Sequence, residues 1–155
     1  MAEDRAYVAT NRAELERLRR LVDRLSDQEL TKPMPAGWTA ASVLAHLAFW
    51  DYRVVTLLDR WGPDGRGAAP SALTSEAEAD WINDAGKPMC LALSPRVAAR
   101  MAVEAAEAAD QRVSALSDAL LAANRAAGMP ISLLRATHRR EHLDEIEHAL
   151  GAAKA

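Results

Sequence analysis

The chain of 155 residues has one cysteine, Cys90, which excludes an internal disulfide framework and fits a reducing compartment. Runs of β-branched residues are nearly absent and alanine is abundant, a balance that favours helix over strand. No apolar stretch approaches the roughly 20 residues a membrane span needs. The opening "MAEDRAYVATNRAELERL" carries no apolar secretion-signal core, so the expected location is the cytoplasm. Nor is there an excess of positive charge. With 19 basic and 22 acidic residues the net charge is −3, which gives no electrostatic reason to expect nucleic acid as a partner. Internal repeats and low-complexity linkers are also missing. What is present is ordinary for a globular protein, with half the residues hydrophobic and 26% charged. A single domain over residues 1–155 is expected.

Hydrophobic spacing places the elements. Tyr7, Leu15, Leu18, Leu21, Val22 and Leu25 recur at helical intervals and predict a first helix over about Glu3 to Leu25. "SDQE" from Ser26 is a capping-box pattern that opens a short extra turn. Pro33, Pro35 and Gly37 then end helical structure. Thr39 is suited to cap a second helix running to about Arg60, with Trp38 stapled on Val43. Its apolar arc holds Val43, Leu47, Trp50, Val54, Leu57 and Leu58. "WGPDGRGAAPSALTS" reads as a loop. A short helix from Ser75 to about Asp84 follows, then "AGKPMCLAL" as irregular or partly helical chain. Ser94-Pro95 predicts the start of a third long helix, which reaches about Ala123 with an inner face of Met101, Ala105, Ala108 and Leu116. Gly128 closes that region, and Pro130 is suited to open a fourth helix ending near Gly151. The expected fold is all-α: a four-helix bundle with a short extra helix between the second and third long helices.

Three of the four histidines lie in "THRREHLDEIEHAL", residues 137–150. On a helical wheel His142 falls about 40° from His138, Ile131 about 20°, Leu134 about −40° and Ile146 about 80°. His138 and His142 therefore sit within the apolar arc. His148 falls off it, as a solvated residue would. On the second helix His46 occupies a place where the pattern calls for Leu or Val. Two readings are open. A histidine on an apolar face is commonly a hydrogen-bonded core residue. Three buried imidazoles without partners are costly, however, and one shared metal ion would satisfy all three. Three protein ligands with an open fourth position are the pattern of catalytic rather than structural zinc.

"HRREH" also matches H-x-x-E-H, an inverted zinc-protease signature with Glu141 as base. Such a site needs a further acidic ligand downstream. The acids that follow His142 (Asp144, Glu145 and Glu147) belong to the same helix. This reading is the weaker one.

Three segments resemble the DinB/YfiT-like superfamily, which includes the N-terminal domain of mycothiol-dependent maleylpyruvate isomerase. They are "LSDQELTKPMPAGWTAASVLAHLAFWD", "ADWINDAGKP" and "HRREHLDEI", and their order spans nearly the whole chain. The resemblance implies a four-helix bundle whose metal ligands here are His46, His138 and His142. It implies a divalent transition metal, zinc or nickel, and a low-molecular-weight thiol as co-substrate. It further implies thiol-dependent transferase or isomerase chemistry on a small electrophile, and homodimers. The chain lacks the additional C-terminal domain of the isomerase, so that particular reaction is not carried over.

Other residues have two readings each. Trp50 can wall a pocket or serve as an ordinary core tryptophan. Glu141 and Glu145 are the catalytic candidates, as base or as a carboxylate orienting a ligand histidine, against solvated helix-face acids. Arg53 can receive a substrate carboxylate or snorkel at the edge. Asn83 can line the mouth or cap a turn. Cys90 reads most simply as a small buried apolar residue. Beside the thiol-dependent enzyme stand two alternatives: a non-catalytic protein that binds or sequesters a small molecule, and a metal-assisted hydrolase.

Overall fold

The computed structural model describes residues 4–71 and 75–152. Among them are seven α-helices and one hairpin of two-residue strands. The first helix, α1 (Ala6–Arg24), ends one residue short of the Leu25 expected, and its expected beginning at Glu3 lies outside the described residues. Ser26 caps α2 (Asp27–Leu30) in the reciprocal box its sequence predicts: the Ser26 side chain accepts from the Glu29 N–H and the Glu29 carboxylate from the Ser26 N–H. The proline-rich break is a hairpin, β1 (Pro33–Met34) against β2 (Trp38–Thr39), joined by a 3-10 turn over Pro35–Gly37. Two successive left-handed residues make that turn, Ala36 at φ 58° and Gly37 at φ 76°. The alanine is out of place there by roughly 1 kcal/mol. The Lys87 ammonium holds its carbonyl from across the fold.

Thr39 caps α3 (Ala40–Trp61), exchanging hydrogen bonds with Ser42 in a second reciprocal box. The next helix departs from expectation. α4 runs over Glu76–Ala92, straight through Gly86 and Pro88, rather than stopping near Asp84. A proline loses one ladder bond. Contacts elsewhere hold the helix past it: Asn83 accepts from the Trp50 indole N–H, Lys87 reaches Ala36, and Cys90 packs on the core.

The third expected helix is two. α5 (Pro95–Ser114) ends early, and Ser117 caps α6 (Asp118–Ala126) through the Leu120 N–H. The inner face of α5 is also shifted from the one expected. Ala98, Ala102, Ala105 and Ala109 are fully buried, while Met101 and Ala108 stay half-buried at its edges. With mostly alanine on its buried face, α5 packs on α3 in the most extensive helix contact of the fold. The last helix, α7 (Ala136–Ala152), begins six residues after Pro130. Pro130 and Ile131 are buried in the preceding loop instead, where Asn124 brackets Ile131 by bonding both its N–H and its C=O. Ile131 and Leu134 thus fall outside the helical wheel, and Leu134 is exposed.

Helices α5 and α7 each pack against both α1 and α3. The apolar interior is divided in two. One cluster gathers Leu18, Leu44, Ala102, Leu143 and Ile146, and the other Tyr7, Val54, Val113 and Ile131. Between them each of these four helices contributes a polar residue: Asn11 from α1, Asp51 from α3, Asp110 from α5 and Arg139 from α7.

Candidate metal centre

Each histidine is aimed by local structure. The Thr39 cap sets the start of α3 and hence the register of His46, which is buried at 8% exposure. The start of α7 is set from another helix. Asn11 on α1 accepts from the Ala136 N–H at 2.9 Å and donates to the Leu133 carbonyl at 2.8 Å, standing in as the helix cap. His138 then follows on the first turn of α7 and His142 on the next.

The three imidazoles meet. His46 Nε2 lies 3.2 Å from His138 Nε2, and one ligand nitrogen from each of the three rings fits within a 4.8 Å cluster. Ring centroids are 4.7–5.1 Å apart, edge to face. Burial first, then the neighbouring His142, pushes His46 down to about 4. Burial, His142, His46 and the flanking Arg135 and Arg139 push His138 down to about 2. Both rings are therefore neutral near pH 7 and keep a lone pair for a cation.

The donor set fits a metal ion. Two nitrogens each about 2.0–2.1 Å from one tetrahedral ion stand about 3.3 Å apart, close to the 3.2 Å found between His46 and His138. The third ring is prepared as well. The His142 Nδ1–H donates to Glu145 Oε2 at 2.7 Å, which leaves Nε2 as the lone-pair atom and orients the ring.

These histidines form part of the wall of an open cavity of about 1010 Å³. Trp38 and Trp50 stand beside His46, with ring centroids 5.6 and 6.4 Å from it, and both line the cavity. Trp50 is held by its bond to Asn83, which lines the cavity too. Glu141 and Glu145 are exposed on the α7 side of the mouth. His148 is exposed as expected, yet it borders the same cavity. Arg53 does not line the cavity. Its guanidinium lies 5.6 Å over the Trp50 ring. Cys90 is half-buried on the core, and burial raises its thiol above the ordinary value.

Sequence reasoning missed the charged residues interleaved with the histidines. Arg139, fully buried, donates twice to Asp110 (2.7 and 2.8 Å) and once to Asp51 (3.3 Å). Arg135, 6% exposed, donates through Nε to Asp51 at 2.8 Å. Burial works against the charge on Arg139, but Asp110 and Asp51 outweigh it and hold the guanidinium above its ordinary value. A signal was there to be read. Arg135, His138, Arg139 and His142 follow the i, i+3, i+4, i+7 spacing of one helix face, and Asp51 stands in the Leu47, Val54, Leu58 stripe of α3. Also unforeseen were Glu76, Asp80 and Asp84, which α4 presents to the cavity.

Compared with known families, the chain matches the family model of the DinB superfamily over residues 10–146. No curated protein and no solved structure matches it significantly.

Proposed function

The chain belongs to the DinB superfamily, and we propose that it is a single-domain metal-dependent enzyme on a four-helix bundle of α1, α3, α5 and α7. In this reading His46, His138 and His142 hold a divalent transition metal, zinc or nickel. The reaction is a thiol-dependent transfer or isomerisation on a small electrophile, carried out in the reducing cytoplasm. The observation that carries the reading is the convergence of three imidazole nitrogens on one point at the wall of a large cavity.

Bound there, the ion would lower the pKa of a thiol at its open position, which makes the thiolate available near neutral pH. The chain supplies the rest. Glu145 keeps the proton of His142 on Nδ1, so that its Nε2 stays a ligand. Trp38 and Trp50 flank His46 with apolar surface that sheds water. Glu141, on the cavity wall and unencumbered by the histidines, is the candidate to take the thiol proton. The thiolate sulfur then bonds to the electrophilic carbon, and the electron pair of the broken bond leaves with the displaced group or moves into the neighbouring π system.

The test is metal analysis followed by turnover. Purified protein reconstituted with zinc or nickel is expected to hold close to one equivalent, and His138→Ala to hold almost none. Wild-type protein carrying less than about a tenth of an equivalent after reconstitution would overturn the metal reading. With metal bound, conjugation of a low-molecular-weight thiol to an electrophile such as monochlorobimane should exceed that of the His138→Ala variant. Stoichiometric binding without turnover would instead assign a sequestering protein.

A further inference from the structure

Arg135 is built for more than its ion pair. Its side chain is 8% exposed, and Asp51 is its sole hydrogen-bonding partner among the described residues, reached through Nε alone. A guanidinium has five N–H donors in a rigid fork. The two terminal nitrogens thus have no acceptor there, yet among the described residues no buried side-chain nitrogen or oxygen is left without a partner. Those nitrogens must therefore open onto accessible space, and the space Arg135 borders is the histidine cavity. Asp51 fixes the orientation. It is 1% exposed and is itself clamped by Arg139. The donor face of Arg135 is consequently preorganised one turn before His138.

The charge balance permits an anion. Arg135 and Arg139 offset Asp51 and Asp110, so the network itself is neutral. Beyond it lies a third cation, Arg53, whose guanidinium is held below its ordinary value by burial and then by the charge of Arg135. Opposing charges gather at the mouth: Glu76, Asp80 and Asp84 from α4, Glu141 and Glu145 from α7. All five are exposed and screened by solvent, whereas Arg135 acts at short range in a low dielectric. This arrangement admits one planar monoanion to the floor and disfavours polyanions such as phosphate esters.

We propose that Arg135 is the anion anchor of this cavity, and that the ligand held against the three histidines carries a carboxylate which pairs with the free edge of its guanidinium. The role assigned to Arg53 from sequence passes to Arg135, which faces the cavity as Arg53 does not. The proposal rests on the reading of the cavity as the ligand site beside a bound metal.

The experiment uses two thiols that differ in charge, 3-mercaptopropionate and 2-mercaptoethanol, titrated into cobalt(II)-loaded protein and followed by the thiolate-to-cobalt absorption. A charge-assisted pair predicts at least about tenfold tighter binding of 3-mercaptopropionate. Arg135→Gln should bring the two thiols within about threefold of each other while cobalt stoichiometry stays unchanged. Arg135→Lys keeps the charge on Asp51 but lacks the second edge, and is expected to lose the preference as well, which covers the case in which Arg135→Gln does not fold. Equal affinities in the wild type, or a preference that survives either folded variant, overturn the anchor. Should cobalt fail to load, the metal reading has failed, and the anchor is judged separately in metal-free protein. There benzoate but not benzamide should perturb tryptophan fluorescence, and Arg135→Gln or Arg135→Lys should abolish the effect. No response to benzoate, or one that persists in a folded variant, would sink the anchor by itself.

Discussion

Two polar pairs alternate along one face of the last helix and the residue that leads into it, and meet opposite fates. Arg135 and Arg139 point into acceptors supplied by the protein, Asp51 and Asp110. His138 and His142 point at another histidine. The first pair forms a closed account of charge, in which each buried carboxylate meets a guanidinium. The second gathers with His46 into a cluster of three imidazoles, with Glu145 outside them accepting from the His142 ring. A shared helix face therefore does not mean a shared purpose. Arg139, whose partners are all internal, holds the fold in register, whereas the converging lone pairs and the open edge of Arg135 face the cavity.

The contrast can be broken most severely at Arg139. Arg139→Met strips the partner from Asp110 and half the partners from Asp51, and should lower unfolding stability by about 3–5 kcal/mol in urea titration. His138→Ala, by comparison, should leave the metal-free protein within roughly 1 kcal/mol of wild type, because it removes a ring from a cavity wall rather than one member of a charge pair. If the two substitutions cost the same, the distinction between the pairs collapses.

Asn11 sharpens the comparison, because it supports both pairs. It caps the helix that bears them and also offers its backbone carbonyl to Arg139. Asn11→Ala leaves the Ala136 N–H without its partner and takes one of two donors from the Leu133 carbonyl. A loss of about 2 kcal/mol is expected, with metal affinity falling alongside stability. Amide exchange at Ala136 and the residues after it should accelerate first. The smallest effect is expected at Glu145. Glu145→Gln keeps the fold and weakens metal binding by about tenfold, since an amide orients the His142 ring without the carboxylate's charge. Calorimetric titration with zinc reads this directly. A change in unfolding midpoint with unaltered affinity would move Glu145 from the histidine pair to the structural layer.

The legibility of these features in sequence follows their range. The Ser26 capping box and the Thr39 cap act over residues three apart, and both were readable, though not the reciprocal bond from Ser42 to Thr39. So was the i,i+4 spacing of His138 and His142, and the anomaly of His46 in an apolar stripe. The course of α4 through Pro88 was not readable, because the bonds to Trp50 and Ala36 that hold it are remote. The break between α5 and α6 left a local mark in Ser117-Asp118, obscured by a continuous alanine-rich helical pattern. Arg139 was passed over because arginine is almost never fully buried unless paired, and its pairing is invisible along the chain.

The sequence by itself determined where helices can form and that three histidines occupy inward-facing positions, since helix propensity, capping and periodicity act over a few residues. Only the tertiary structure decided which polar side chains meet. Asp51 and Arg139 stand 88 positions apart, and Asn11 caps a helix 125 residues away. A buried charge is tolerable only when its partner arrives with it, and that depends on how the helices pack rather than on any one of them.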